Sequence, residues 1–176
     1  MLDKFLRKDV HCHLSAYKRM CDIFHQTTFS EIRKETSKLR TYSLLKNKIG
    51  YEEYLSQIKN IKHRTILTKL RLSNHKLEIE TGRYRRVNKN LRNCPFCPEN
   101  VEDEMHFLLQ CKTLKPLREK LFRDLETLNA NFIHSTETNI FITLLTNPNY
   151  IHTTARYLDE IFQCRESLPQ KHKKFT

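Results

Sequence analysis

Apolar positions recur along this chain at helical spacing. From about Leu2 to Phe24 they fall at Leu6, Val10, Leu14, Tyr17 and Cys21, steps of three or four that make the stripe of an amphipathic helix. Polar, β-branched Gln26-Thr27-Thr28 should break that helix. Ser30 should then cap a second, EIRKETSKLRTYSLLKNKI, with Gly50 as its stop signal. YEEYLSQI reads as a short third helix and NIKHRTILTKLRLSN as a fourth. In LEIETGRYRRVNKNLRN, Gly82 is expected at a turn or cap. Beyond residue 111, LKPLREKLFRDLETL, TNIFITLLT and TTARYLDEIFQCRESL read as helices, and QKHKKFT as a frayed basic tail.

The fourth helix carries charge in a definite place. At about 100° per residue, Ile66, Leu67, Leu70 and Leu77 share a face. Lys62, Lys69 and Lys76 border one side of it, and Arg64 and Arg71 the other, so basic rows could grip phosphates while their stems cover apolar surface. The link after it, RYRRVNKNLR, adds Arg83, Arg85, Arg86, Lys89 and Arg92, with Tyr84 as a stacking ring.

The charge of the whole chain sharpens this. Residues 1–93 hold 22 Lys/Arg against 9 Asp/Glu, and residues 94–176 hold 10 against 11, so the entire net charge of +12 lies in the first part. A one-sided field of that size attracts polyanions. With two glycines and five prolines, a turn-rich β architecture is disfavoured. No apolar run approaches the roughly 20 residues of a membrane span. The start, MLDKFLRKDVHCHL, has no signal-peptide core, so an intracellular location, nuclear or cytoplasmic, is expected.

In such a reducing compartment, clustered thiols point to metal rather than disulfides. CPFCPENVEDEMHFLLQC supplies the cluster: Cys94, Cys97, His106 and Cys111, spaced C-x2-C-x8-H-x4-C. Three sulfurs and one nitrogen form a closed tetrahedral set, the composition of a structural Zn2+ site with no position left open for hydrolytic water. Glu102, Asp103 and Glu104 suit a helix start. Glu102 or Glu104 is also expected to take the second imidazole proton. His106 and Cys111, five apart, do not share one face of an ideal α-helix, so the last turn should loosen or tighten there. The second candidate, HCHLSAYKRMCDIFH, puts His13, Cys21 and His25 on a similar face but brings no fourth ligand, and reads as a packed helix; Cys164 reads as a core cysteine, and Cys12 has no assigned role.

These features define the expected fold class: mainly α, a small helical bundle with an inserted CCHC zinc knuckle and at most a minimal β-hairpin at the knuckle. The segments are 1–28, an N-terminal helix; 29–93, basic and helical; 94–123, the knuckle and the following helix; and 124–176, the C-terminal helices and tail.

KLRTYSLLKNKIGYEEYL, HRTILTKLRLSNHKLEIETGRYRR, CPFCPENVEDEMHFLLQC and LKPLREKLF together resemble the C-terminal region of non-LTR (LINE-type) retrotransposon reverse transcriptase polyproteins. There a basic helical segment leads into a CCHC zinc knuckle with an acidic-H-F-L centre. The resemblance covers roughly Lys38 to Phe122. It implies a role in gripping element RNA or target DNA, with Cys94, Cys97, His106 and Cys111 as ligands. The Asp-Asp pair of the polymerase is absent, as is the Pro-Asp and acidic-x-Lys spacing of the associated nuclease.

The expected function is therefore a zinc-stabilised module that binds RNA and/or DNA through the phosphate backbone, with no membrane partner and no enzymatic activity. A protein-interaction adaptor stapled by the zinc is the alternative. A hydrolase using Glu78, Glu80 or the EDE run is a third reading.

Overall fold

The computed structural model describes residues 2–34, 37–46, 50–128 and 135–168, with side chains described from His13 onward. Its elements are helices: α1 (Leu2–Ile32), α2 (Arg40–Leu45), α3 (Tyr54–Gln57), α4 (Ile61–Arg71), α5 (Glu78–Tyr84), α6 (Lys115–Glu126), α7 (Glu137–Thr146) and α8 (Ile151–Ser167), with a 3₁₀ turn at Lys89–Leu91 and a π turn at His106–Gln110. The mainly-α expectation holds. Among the described residues the β content is one isolated antiparallel bridge, Asn93 to Val101, beside the first cysteine.

Local chemistry explains where the bundle helices begin and end. The Asn60 side chain accepts from His63 N (3.2 Å) to open α4, and the Thr136 side chain accepts from Asn139 N (3.3 Å) to open α7. Pro116 sits in the first turn of α6, where its missing N–H leaves no bond unmade. At the end of α4, Ser73 turns to φ 49°, and Asn74 N and Ser73 N reach back to Lys69 O (2.7 Å) and Leu70 O (3.1 Å), a Schellman closure.

Helix α8 packs against α4, α6 and α7 and forms the middle of the bundle. Leu67 and Leu70 of α4, Leu121 and Leu125 of α6, Phe141 and Leu144 of α7, and Leu158 and Ile161 of α8 are buried together. Each such side chain contributes about 1.5–3 kcal/mol on leaving water. Cys94, Cys97 and Cys111, with Phe107, Leu108 and Leu109, belong to the same cluster. The cysteine-rich segment is therefore part of the core.

The N-terminal third departs from the sequence reading. The helix does not break at Gln26–Thr28; α1 runs on to Ile32, past the expected boundary at residue 28. Ser30 is not a cap, since its Oγ donates back to Thr27 O (2.7 Å) inside the helix. Burial of Phe29 and Ile32 at the end of α1 outweighs the roughly 1 kcal/mol that two threonines cost a helix. The second helix is correspondingly short, Arg40–Leu45, and packs against α1, α4 and α7. Of the expected stripe, Leu14 and Tyr17 are more than half exposed and Cys21 is half-buried, and the neighbouring Met20, Ile23 and Phe24 are also more than half exposed. Residues 35, 36 and 47–49 of the expected second helix, the tail QKHKKFT, and the side chains of Leu6, Val10 and Cys12 lie outside the described residues. Among the described residues no helix is long and apolar enough to cross a membrane.

Gly82 is the other correction. It lies inside α5 with no positive φ, so it neither turns nor caps. A Cβ there would stand 2.6 Å from Cγ of Arg92, so glycine is needed for close approach of that side chain.

Candidate metal centre

The cysteine pair is presented by a tight turn. Cys97 N donates to Cys94 O (3.2 Å), Asn100 N to Cys97 O (2.9 Å) and Cys94 N to Asn100 O (2.8 Å), which points both thiols inward. Asp103 then caps the next element, its Oδ1 accepting from His106 N at 2.7 Å. From His106 the backbone widens into the π turn, closed by Cys111 N donating to His106 O at 2.7 Å. In an α-helix a separation of five leaves two side chains about 140° out of register. The i→i+5 pattern brings them back over one another, so the loosening expected from the H-x4-C spacing is realised as a π turn.

The ligand atoms of Cys94, Cys97, His106 and Cys111 all lie within 4.8 Å of one another, and all four residues are buried. Cys111 Sγ is 4.0 Å from Cys94 Sγ and 3.8 Å from Cys97 Sγ, far beyond the roughly 2.05 Å of a disulfide. The thiols are free. Both ring nitrogens of His106 are buried with no hydrogen-bond partner. Leaving such a nitrogen unpaired costs about 1–3 kcal/mol, so a lone pair aimed at three sulfurs calls for something that accepts it.

The sulfur electrostatics point the same way. The hydrogen bond with Cys94 holds the Cys111 thiol down to about 3 against the opposing effect of burial, with His106 adding to the drop. That same bond, together with burial, pushes Cys94 up. A bound cation would favour the thiolate form of both sulfurs. Among the described residues no other group of three or more His, Cys, Asp or Glu is placed to hold a metal ion. His13 is exposed and Cys21 and His25 are half-buried, so the packed-helix reading of that stretch holds only in part. Cys164 sits half-buried against the core.

The surrounding acids have a different role from the one expected. Neither Glu102 nor Glu104 reaches His106. Glu102, fully buried, accepts a fork from Arg165 of α8 (2.7 and 2.7 Å) and a bond from Glu78 N (2.7 Å). Glu104 accepts from Arg40 Nε (3.0 Å) and Nη2 (2.6 Å) and pairs with His75 Nε2 (2.8 Å). Burial alone would raise its pKa, but His75 and then Arg40 bring it down to about 2. Arg40 also reaches Glu80 (2.5 Å), which meets Arg83 (3.0 Å). Of the acidic run only Asp103 serves as a helix start.

The basic candidates divide. Arg71 is buried: it donates to Leu145 O, pairs with Glu52 (2.5 Å) and lies over the Tyr54 ring at 4.6 Å. It is a core strut, so the expected second basic border of α4 is not a surface row. Arg64, half-buried, donates to Leu55 O (2.9 Å) and Ile58 O (3.4 Å) at the end of α3. Arg92, half-buried, donates to Val87 O (3.0 Å) and Ile79 O (2.8 Å). Lys62 is exposed but pairs with Asp159 (2.8 Å), and Lys69 is exposed on the rim of an open groove of about 600 Å³ between α4 and α8. Arg83 pairs with Glu80 and Arg85 with Glu78, while Arg86, Lys89 and Tyr84 face solvent. No family model matches this chain, and no match exists among curated proteins or solved structures.

Proposed function

We propose that the chain is a zinc-stabilised nucleic-acid-binding module, of the kind that follows the reverse transcriptase in non-LTR retrotransposon polyproteins. The observation that carries the metal half is the buried convergence of three thiols and one unpartnered imidazole. Zinc fits that set best: a tetrahedron with Zn–S bonds of about 2.3 Å has edges of about 3.8 Å, against sulfur separations of 3.8 and 4.0 Å here. Zinc is also the usual guest of a closed Cys3His set. Its role would be to fold the knuckle and hold the preceding link in place.

The nucleic-acid half rests on what that link exposes. Arg86, Lys89 and the Tyr84 ring stand on the surface a few residues ahead of Cys94, within the half of the chain that carries the whole positive excess. Metal analysis of purified protein, alongside binding to RNA, single-stranded DNA and duplex DNA titrated with salt, tests both halves. Near-stoichiometric zinc and affinity that falls with salt are expected; affinity flat from low to high salt sinks the nucleic-acid half. The adaptor reading draws its support from the exposed apolar side of α1, Leu14 to Phe24, and flat salt dependence with partner capture through that helix would favour it.

A further inference from the structure

Around the 3₁₀ turn, the molecule presents an aromatic ring and few free charges. Tyr84, the last residue of α5, is 70% exposed, and the guanidinium of Arg83 lies over its ring with 5.0 Å to the centroid. One face of the ring is thus backed by a cation and the rest is open to solvent. The 3₁₀ turn Lys89–Leu91 packs against α5 and carries Leu91, itself 68% exposed. Of the five cations in the link, Arg83 and Arg85 are held by Glu80 and Glu78, and Arg92 is turned inward onto backbone carbonyls. Arg86 and Lys89 have no ion pair among the described residues.

A duplex keeps the faces of its bases stacked inside and offers a protein its phosphates. Two uncommitted cations make a poor grip on a double helix. An exposed tyrosine gains its energy only from a base whose face is free. Resting on the nucleic-acid reading above, we infer that this surface selects single-stranded nucleic acid, or unpaired loops and ends. The ring of Tyr84 stacks on one base, and Arg86 and Lys89 meet the neighbouring phosphates.

The test uses the full chain and a short oligonucleotide carrying a fluorescent adenine analogue, offered single-stranded and as its duplex. Wild type and Tyr84→Phe should bind the single strand in preference to the duplex and quench the analogue. Tyr84→Ala should lose the quenching and about 5- to 150-fold in single-strand affinity while duplex binding stays put. Tyr84 is exposed, and an unchanged melting temperature for the variant would show that the fold is not the cause. Equal affinity for both forms, with Tyr84→Ala indistinguishable from wild type, overturns the selection of single strands and leaves the broader reading standing. Failure of every nucleic acid to bind overturns both.

Discussion

Arg86 adopts φ 58°, in the left-handed region that normally belongs to glycine. It closes α5 as Ser73 closes α4, with Val87 N reaching Gly82 O (2.9 Å) and Arg86 N reaching Arg83 O (3.1 Å). A non-glycine residue there costs about 1–2 kcal/mol, and glycine would return about half of that as chain entropy. Arg86→Gly is therefore expected to stabilise the fold by about 0.5–1 kcal/mol in a denaturant melt and to weaken nucleic-acid binding in the same preparation. A gain in stability with no loss of binding would show that the side chain has no role in recognition. Arg165 makes the opposite case. Arg165→Met leaves the Glu102 carboxylate unpaired in the core, and should cost about 3–5 kcal/mol on chemical denaturation. The Cys3His cluster was legible because a metal site dictates spacing, and spacing is a property of the sequence. Arg71 and Arg165 were not, because an arginine reads as surface until its partner is known. Those partners lie far away in the chain: Glu102 is 63 residues from Arg165, and Leu145 is 74 from Arg71.

At the level of elements, the π turn is the feature on which the site's geometry depends, and the bundle holds it from outside. Tyr157 of α8 donates its hydroxyl to Leu108 O (3.2 Å), and Arg118 of α6 donates to Cys111 O (3.1 Å), so two carbonyls at the wide turn have side-chain donors. Burial pushes the Tyr157 phenol well above its ordinary pKa, keeping it a donor across the usable pH range. Tyr157→Phe should cost about 1–3 kcal/mol, the penalty of a buried acceptor left short, and should loosen the metal. Competition with a chromogenic chelator measures the second effect. If metal affinity is unchanged, the turn is set by the ligands alone. Asp103→Ala should act at the other end, removing the acceptor of His106 N at a cost of about 0.5–2 kcal/mol, with Asp103→Asn retaining most of it. The sequence anticipated a deformation at Cys111 because five does not fit the α period. It could not say which deformation, since the side chains that contact the turn, Tyr157 and Arg118, come from other helices. The same limit explains α1: its periodicity was visible, whereas its passage through Gln26–Thr28 follows from burial of Phe29 and Ile32.

For the molecule as a whole, the question is whether the knuckle can unfold by itself. Phe107, Leu108 and Leu109 lie between ligands and also sit in the main core, with Phe107 against Phe162 of α8 at 4.7 Å between ring centroids. Arg165–Glu102 and Arg40–Glu104 tie the same stretch to α8 and α2. A fold that released residues 94–111 would expose three large apolar side chains and leave Arg165, Arg40 and His75 without their carboxylate partners. Those losses, at about 1.5–3 kcal/mol per side chain and several more for each broken ion pair, are comparable with the 5–15 kcal/mol that holds a domain together. Chelation should therefore melt the bundle with the knuckle, as a single transition shifted to much lower temperature, and far-UV circular dichroism should lose helix in step with metal release. Cys111→Ser should start where the chelated wild type ends. Hydrogen exchange that left α4 and α8 fully protected in chelator, with only residues 94–111 opened, would mean that the bundle folds without the metal and the site is an appendage to it.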